Sequence, residues 1–278
     1  MGTDMPAKKL KNTLSSRALL VGLGTILAGV LAVPALAADL NASVPPASVE
    51  EAVLLPKWRF EVAPYFWTAG MSGQVASFGA PGAHVNMGFS DILDDLDFSV
   101  MVAGEARYDR FSLTTDLIYL KLSTSETTPR GILVSSIGLD SSMTTASALA
   151  GYSILERPNV RLDAVLGGRF WSVENTLKFD GGFFGGRSYR DSATWIDAMG
   201  GVKGRVDFSD RFYFTGSALV GGGSSNFGWD LMGGLGYEMS DHFSAVAGYR
   251  ALGVDYQDGD FEFDVTIQGP IVGVALKF

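Results

Sequence analysis

The sequence predicts an all-β chain: a transmembrane, antiparallel, up-and-down β-barrel of about ten strands, with eight or twelve as alternatives. Three observations lead there. From Trp58 onward, side chains alternate between apolar and polar with a period of two, the strand signature, and no later stretch holds a 3.6-residue period for long. One set of that alternation is apolar and free of charge, while the other carries acids and bases in equal number. Tight polar turns also alternate with longer connections, the arrangement of a barrel that crosses a bilayer.

The chain opens on a targeting segment. "KKLKNTLSSR" is basic, "ALLVGLGTILAGVLAV" is uncharged and apolar, Pro34 breaks the run, and Ala35-Leu36-Ala37 fits a small-x-small cleavage rule. A membrane-spanning helix needs about 20 apolar residues, and this run is shorter and interrupted by glycine. Residues 1–37 therefore read as a signal peptide cleaved near Ala37/Ala38. Residues 38–57, rich in Ala, Pro and Ser with Glu50 and Glu51, read as a flexible periplasmic N-terminal segment. The barrel occupies 58–278.

Ten strands follow: "WRFEVAPYFW", "FSVMVAGEARYD", "FSLTTDLIYLKL", a weaker "LDSSMTTASALAGYSI", "VRLDAVLGGRFWSV", "ATWIDAMGGVKGRVDF", "FYFTGSALVGG", "FGWDLMGGLGYEM", "FSAVAGYRALGV" and "VTIQGPIVGVALKF". Each is long enough for the 9–11 residues that a tilted strand needs to cross a bilayer. "DR", "ERPN", "SDR" and "SDH" are the tight turns; 70–97, 124–137, 176–191, "SSNFG" and 255–262 are the other connections. An even count returns both ends to the periplasmic side.

The two faces of these strands differ in kind. Leu162, Ala164, Leu166 and Phe170, Ile196, Ala198, Val202 and Val206, or Phe212, Phe214, Ala218 and Val220 form apolar rows, as do Trp229, Leu231, Leu235 and Tyr237 with Phe243, Ala245, Ala247 and Tyr249. The opposite face carries seven bases, Arg59, Arg107, Arg161, Arg169, Lys203, Arg205 and Arg250, and seven acids, Glu61, Glu105, Asp116, Asp163, Asp197, Asp230 and Glu238. A charge facing lipid at mid-bilayer costs about 2–4 kcal/mol. With a secretion signal ahead, the apolar rows are expected outward and the charges inward as a lumen ion network. Small barrels are filled by side chains whereas open channels need about sixteen strands, so the expectation is a lumen largely filled by ion pairs, with a narrow passage for small solutes still open. Aromatics such as Trp58, Tyr108, Phe111, Tyr152, Phe212, Tyr237, Phe243 and Phe278 crowd the short-turn end and read as an interfacial girdle.

Charge and cysteine content exclude several functions. Net charge is −9; the first 37 residues carry +3 (Lys8, Lys9, Lys11 and Arg17 against Asp4), which leaves −12 on the rest. Nucleic acid is therefore not a partner, since phosphates need a basic surface. The absence of cysteine removes disulfides, thiolate nucleophiles and Cys-ligated zinc.

The C-terminal strand, with Phe278 last and Val272, Val274 and Leu276 alternating before it, resembles the sorting signal read by the barrel-assembly machinery. "APYFWTAGMSG", "FSDILDDLDF" and "EARYDRFSLTTDLIYLKLS" are similar to a group of uncharacterised proteobacterial outer-membrane proteins and, more distantly, to the small barrels of the opacity-protein and outer-membrane-protein-W type. The resemblance covers roughly residues 58–278. It implies a barrel in the outer membrane of a Gram-negative bacterium, touching membrane lipid and lipopolysaccharide, monomeric, with the assembly machinery as a partner during biogenesis. It brings no catalytic motif.

A non-enzymatic, porin-like envelope protein is the expected function, with a structural, surface-interaction or narrow-passage role, and no cofactor, metal or catalytic residue is assigned. The alternatives are a small diffusion porin and an enzyme of the outer rim that hydrolyses lipid or peptide through His84, which lies in "GAHVNMGFSD" with Asp91, Asp94 and Asp95 downstream. His242, in the "SDH" turn, falls at the opposite rim. Asp255, Asp258, Asp260 and Glu262 gather carboxylates without the spacing of an EF-hand. In "FSDILDDLDF", Ile92, Leu93 and Leu96 have helical spacing, with Ser90 as cap. "GGFFGG" (181–186) either contacts a partner or folds onto the rim.

Overall fold

A computed structural model describes residues 58–127, 136–182 and 185–278. The expectations for the signal peptide, the 38–57 segment and Phe183-Phe184 of "GGFFGG" lie outside the described residues. Twelve strands and one short helix are present. β1 (Trp58–Trp67), β2 (Gly70–Ala76), β3 (Ala83–Met87) and α1 (Phe89–Asp94) come first, then β4 (Leu96–Tyr108), β5 (Phe111–Thr127), β6 (Ser136–Arg157), β7 (Val160–Asp180) and β8 (Arg187–Asp207). β9 (Phe212–Gly223), β10 (Phe227–Ser240), β11 (Phe243–Asp258) and β12 (Phe261–Lys277) complete the chain.

Every strand pairs antiparallel with its neighbour in the order β1-β4-β5-β6-β7-β8-β9-β10-β11-β12, and β12 returns to β1, so ten strands close a barrel. Closure is joined at the end of the chain: the Phe60 N–H donates to the Phe278 carbonyl (3.1 Å) and the Phe278 N–H to the Phe60 carbonyl (2.9 Å). The β1–β12 register skips Ala63 and Pro64, where proline has no N–H to give. Beyond Trp67, β2 takes over as the partner of β12, from Gly70↔Gln268 to Ala76↔Glu262, and β3 folds back on β2. The first long connection is thus a hairpin plus a helix.

No helix among the described residues is long and apolar enough to cross a membrane, so crossing falls to the strands. The outward face is the apolar belt that the alternation marks: Leu166 is 69% exposed, and Ile196, Phe212, Val220, Leu231, Leu235 and Val272 are exposed beside it. The belt ends where outward positions turn polar. On β7, Phe170 is followed by Ser172 and Glu174; on β8, Ile196 is preceded by Thr194, Ser192 and Arg190, and Arg190 and Glu174 pair on the surface at 3.5 Å. This is a membrane-spanning barrel: lipid offers no partner for an open strand edge, and ten strands paired in a closed ring meet that demand.

The connections differ from the sequence expectation. β7 runs to Asp180 and β8 starts at Arg187; β11 and β12 meet across Gly259-Asp260; β5 and β6 extend to Thr127 and from Ser136. The supposed loops 176–191 and 255–262 are largely strand among the described residues, and the described ends of 124–137 are strand as well. β6, expected to be weak, is the longest at 22 residues. About ten residues suffice to cross a bilayer, so β6, β7 and β8 project well past the belt. In that projection the outward rows are polar and the apolar residues, such as Leu177 and Phe179 of β7, fall on the inward parity, so an apolar outward face no longer marks the strands; Phe179 meets Tyr189 edge-on at 6.0 Å beside the ladder. α1 also departs in detail, since its N-cap is Gly88, whose N–H donates to the Asp91 carboxylate at 2.9 Å, and not Ser90.

Candidate functional site

The barrel interior is built from side chains of odd number on β1, β4, β6 to β9 and β12, and of even number on β5, β10 and β11, because the strand period is two. Along the axis it forms two charged tiers below an apolar block.

The lower tier lies near the short turns. Arg107 of β4, 2% exposed, donates Nε–H to Glu105 (2.9 Å) and pairs through Nη2 with Asp163 of β7. Ser153 Oγ donates to Asp163 (2.6 Å) and accepts from Arg107 (3.0 Å). Lys203 of β8 pairs with Glu105, and Arg161 Nε is 3.8 Å from Asp163. Arg205 is 2.8 Å from both Asp207 and Glu238 and stacks its guanidinium 3.5 Å above the Tyr213 ring, while Lys277 also pairs with Glu238. Tyr213 has room because Gly236 lies opposite it: a Cβ there would be 2.0 Å from the ring.

The upper tier spans the waist. Arg250 of β11 reaches Asp116 of β5 and Asp230 of β10, both at 2.7 Å, and Arg169 of β7 meets Asp230 at 2.5 Å. Tyr65 of β1 donates to Asp116 (2.7 Å) and accepts from Arg250 (3.0 Å). Five strands of the barrel, β1, β5, β7, β10 and β11, are thereby tied together across the lumen. Arg250 also lies 5.4 Å from the Trp67 ring centre, joining the tier to the block above.

That block is packed like the core of a soluble protein. Trp67, Ile118, Trp171, Val173, Trp195, Leu252, Val254, Phe263, Val265 and Ile267 are all buried in it. Trp171 and Trp195 stack at 5.6 Å and Trp195 and Tyr256 at 4.0 Å, with nearly parallel planes in both cases, and Phe263 meets Trp171 edge-on. Below the upper tier is a cavity of about 200 Å³, lined by Thr114, Ser147, Thr215, Ser217, Leu149 and Leu219 among others. Below the lower tier a vestibule of about 790 Å³ opens at the short-turn rim.

Above the block, the β2–β3 hairpin lies across the mouth. Its tip is held on the far wall, where Asp191 of β8 accepts from Ser77 Oγ (2.8 Å) and the Phe78 N–H (2.6 Å). Asn175 of β7 donates to Ser77 Oγ (3.3 Å). Phe78 takes a left-handed φ of 61°, a strained conformation for a bulky residue. The Phe78 N–H, with Ser77, holds the Asp191 carboxyl below the usual aspartate range.

Of the fourteen lumen charges read from the sequence, eleven meet an opposite charge here. Arg59 is exposed at the vestibule and, like Glu61, has no ion-pair partner among the described residues. Asp197, 1% exposed, pairs with no base; it accepts the Ser225 N–H of the β9–β10 turn at 2.8 Å. Sequence reasoning missed Tyr65 and Lys277, although parity with Glu61 on β1 and with Ala275 on β12 places both inward. It also missed the apolar block, because Trp171 and Trp195 continue the inward rows of Arg169 and Asp197 with apolar residues.

His84 is exposed on β3 opposite Gln74, with no side-chain hydrogen bond or ion pair among the described residues. His242 lines the vestibule at the opposite end. Asp255 accepts from Asn226 Nδ2 at 3.2 Å, and Asp258 and Asp260 flank the tight turn at Gly259. Among the described residues no group of His, Asp and Glu is placed to hold a metal ion. Val272 and Val274 face outward with Leu276, and Phe278 is 74% exposed at the short-turn rim.

No family model matches the chain, and no curated protein matches it. Solved structures do. The outer membrane protease OmpT of Escherichia coli is similar at 9% identity and a TM-score of 0.48, over 83% of this chain and all of that one. Ail, the attachment invasion locus protein of Yersinia pestis, is similar at 13% identity and 0.34, over 80% and 98%. Neisserial surface protein A is similar at 13% and 0.33, over 80% and 97%. The chain has the outer-membrane β-barrel fold. At such identities the likeness reaches no further than the fold, which rests here on this chain's own register and apolar belt.

Proposed function

We propose that this is a non-enzymatic barrel of the Gram-negative outer membrane whose lumen is plugged, and whose work is done by the strands and hairpin projecting beyond the membrane. The carrying observation is the filled lumen: a charged waist under an apolar block leaves a large solute no path along the axis. A diffusion porin is disfavoured for that reason. An outer-rim enzyme through His84 is disfavoured because, among the described residues, no side-chain hydrogen bond or ion pair joins His84 to a catalytic partner.

The eleven paired charges among the fourteen lumen residues serve as braces of the lumen. The C-terminal rows of Val272, Val274, Leu276 and Phe278 serve as the assembly signal, and outer-membrane lipid with lipopolysaccharide surrounds the belt of a monomer. The signal peptide is removed near Ala37/Ala38, so the mass of the mature protein should correspond to a start at Ala38. Folded protein in proteoliposomes should swell no faster than empty vesicles in isotonic small sugars; sugar-driven swelling would overturn the plugged reading.

A further inference from the structure

Besides the short skip at Ala63 and Pro64, the ladder of the barrel wall is interrupted between β1 and β4. β4 faces β1 from Tyr108↔Trp58 up to Val102↔Pro64 and no further, while Leu96 to Met101 of β4 remain paired with β5 alone. On the other side of this gap β1 ends at Trp67 and β2 turns to β3. α1 fills the opening. Its Ile92 points inward and is buried; Leu93 is exposed; Phe89 meets Phe66 of β1 edge-on at 6.1 Å.

Behind α1 is a cavity of about 90 Å³. Its walls include Trp67, Ile92, Met101, Ile118, Met143 and Ile267, and Ser99 and Ser141 are its polar side chains. Water in a buried site needs two to four polar partners, and apolar cavities instead stay dry and take up apolar guests. Met101 and Met143 are adaptable walls, because an unbranched thioether can re-pack around a guest.

The entrance is also legible. A helix of six residues has almost no stability of its own. α1 is held by the Gly88 and Asp95 backbone, the latter through the Ser123 N–H (2.9 Å), and among the described residues no side-chain hydrogen bond or ion pair ties it to the barrel. Elsewhere among the described residues the wall is made of paired strands. α1 lies level with the exposed Phe66 and Phe98, where the outward surface passes from apolar to polar, so its outer side faces the edge of the apolar membrane interior into which apolar solutes partition.

We propose that the cavity behind α1 is a binding site for one small uncharged apolar molecule, admitted from the membrane boundary by displacement of α1. A cavity of about 150 Å³ accommodates benzene or xenon; this smaller one fits xenon or a hydrocarbon of about two to four carbons, and excludes a whole acyl chain. The proposal is independent of what the projecting strands do.

The test uses the folded full-length protein in detergent micelles with methyl-labelled Ile, Met and Val, titrated with xenon gas and read by NMR. The expected result is a saturable shift at the Ile92, Met101, Ile118 and Met143 methyls, with linear drift at Val272 and Val274, which face the detergent. Ser99→Leu, filling the cavity from β4, and Ile92→Phe, filling it from α1, should each raise the half-saturation pressure by about tenfold or more; heat-modifiable gel mobility shows which variants are folded. Saturation lost in a folded filler supports the site. Linear drift at all methyls, or saturation unchanged in a folded filler, overturns it.

Discussion

Asp230 carries the waist of the barrel. It is 2% exposed and bridges Arg169 and Arg250. Removing one partner of a buried pair leaves a charge in low dielectric without compensation, which costs on the order of 3–5 kcal/mol. Asp230→Ala should therefore lower the urea midpoint of the folded barrel strongly, while Asp230→Asn, which keeps one acceptor, should cost less. Lys178→Ala, at a surface pair with Asp140, should change the midpoint little, because exposed pairs contribute about 0–1 kcal/mol. Equal losses from Asp230→Ala and Lys178→Ala would contradict the tier.

Asp191 acts at the same scale but outside the membrane. Its carboxylate is held below the ordinary aspartate range by the Phe78 N–H. A depressed carboxylate contributes in full above the unfolded value of about 3.9 and loses that contribution as pH falls through the lower folded value. The hairpin should thus stay docked at neutral pH and loosen below about pH 4. Asp191→Ala should leave it loose at every pH. Hydrogen exchange of the Ser77–Gly79 amides measures this; equal protection in variant and parent at pH 7 would remove the latch.

Among the elements, β12 has the most to do. It meets β11, then β1, then β2, and its last residue closes the barrel through two backbone hydrogen bonds to Phe60. Deleting Phe278 removes that junction together with an outward aromatic at the rim. The truncated chain should show a much smaller heat-modifiable folded fraction in the membrane than a chain altered at the Gly259-Asp260 turn. Similar folded fractions would count against the role given to this strand. The elements also show where the sequence was legible. Strands inside the belt declare themselves because lipid outside and charge inside impose opposite demands on alternate residues. The extensions of β5 to β8 past the belt lose the apolar-outward contrast while the ladder continues: 123–127 of β5 is polar throughout, and on β6 and β7 the apolar residues Ile137, Leu139, Leu177 and Phe179 fall on the inward parity. α1 and the β2–β3 hairpin lay within reach of local signals, in "FSDILDDLDF" and in the turn residues Gly79 to Gly82. Their placement in the wall gap and across the mouth depends on contacts far apart in sequence, such as Ser77 with Asp191.

At the scale of the whole molecule the lumen divides in two, and the sequence disclosed one half. The charged tiers could be read because acids and bases of one parity must avoid lipid. The apolar block could not be read from hydrophobicity alone. Above the waist, Trp171, Trp195, Leu252 and Val254 are apolar and inward while their neighbours outside are apolar or weakly polar, so strand faces no longer contrast. Parity carried forward from Arg169, Asp197 and Arg250 is the signal that finds them. The consequence is a barrel closed around its own core, braced by ions below and capped by a hairpin above. Single-channel recording of the folded protein in planar bilayers tests that directly. The account predicts a baseline without large, steady steps across the voltage range. Large, stable conductance steps from folded protein would contradict it.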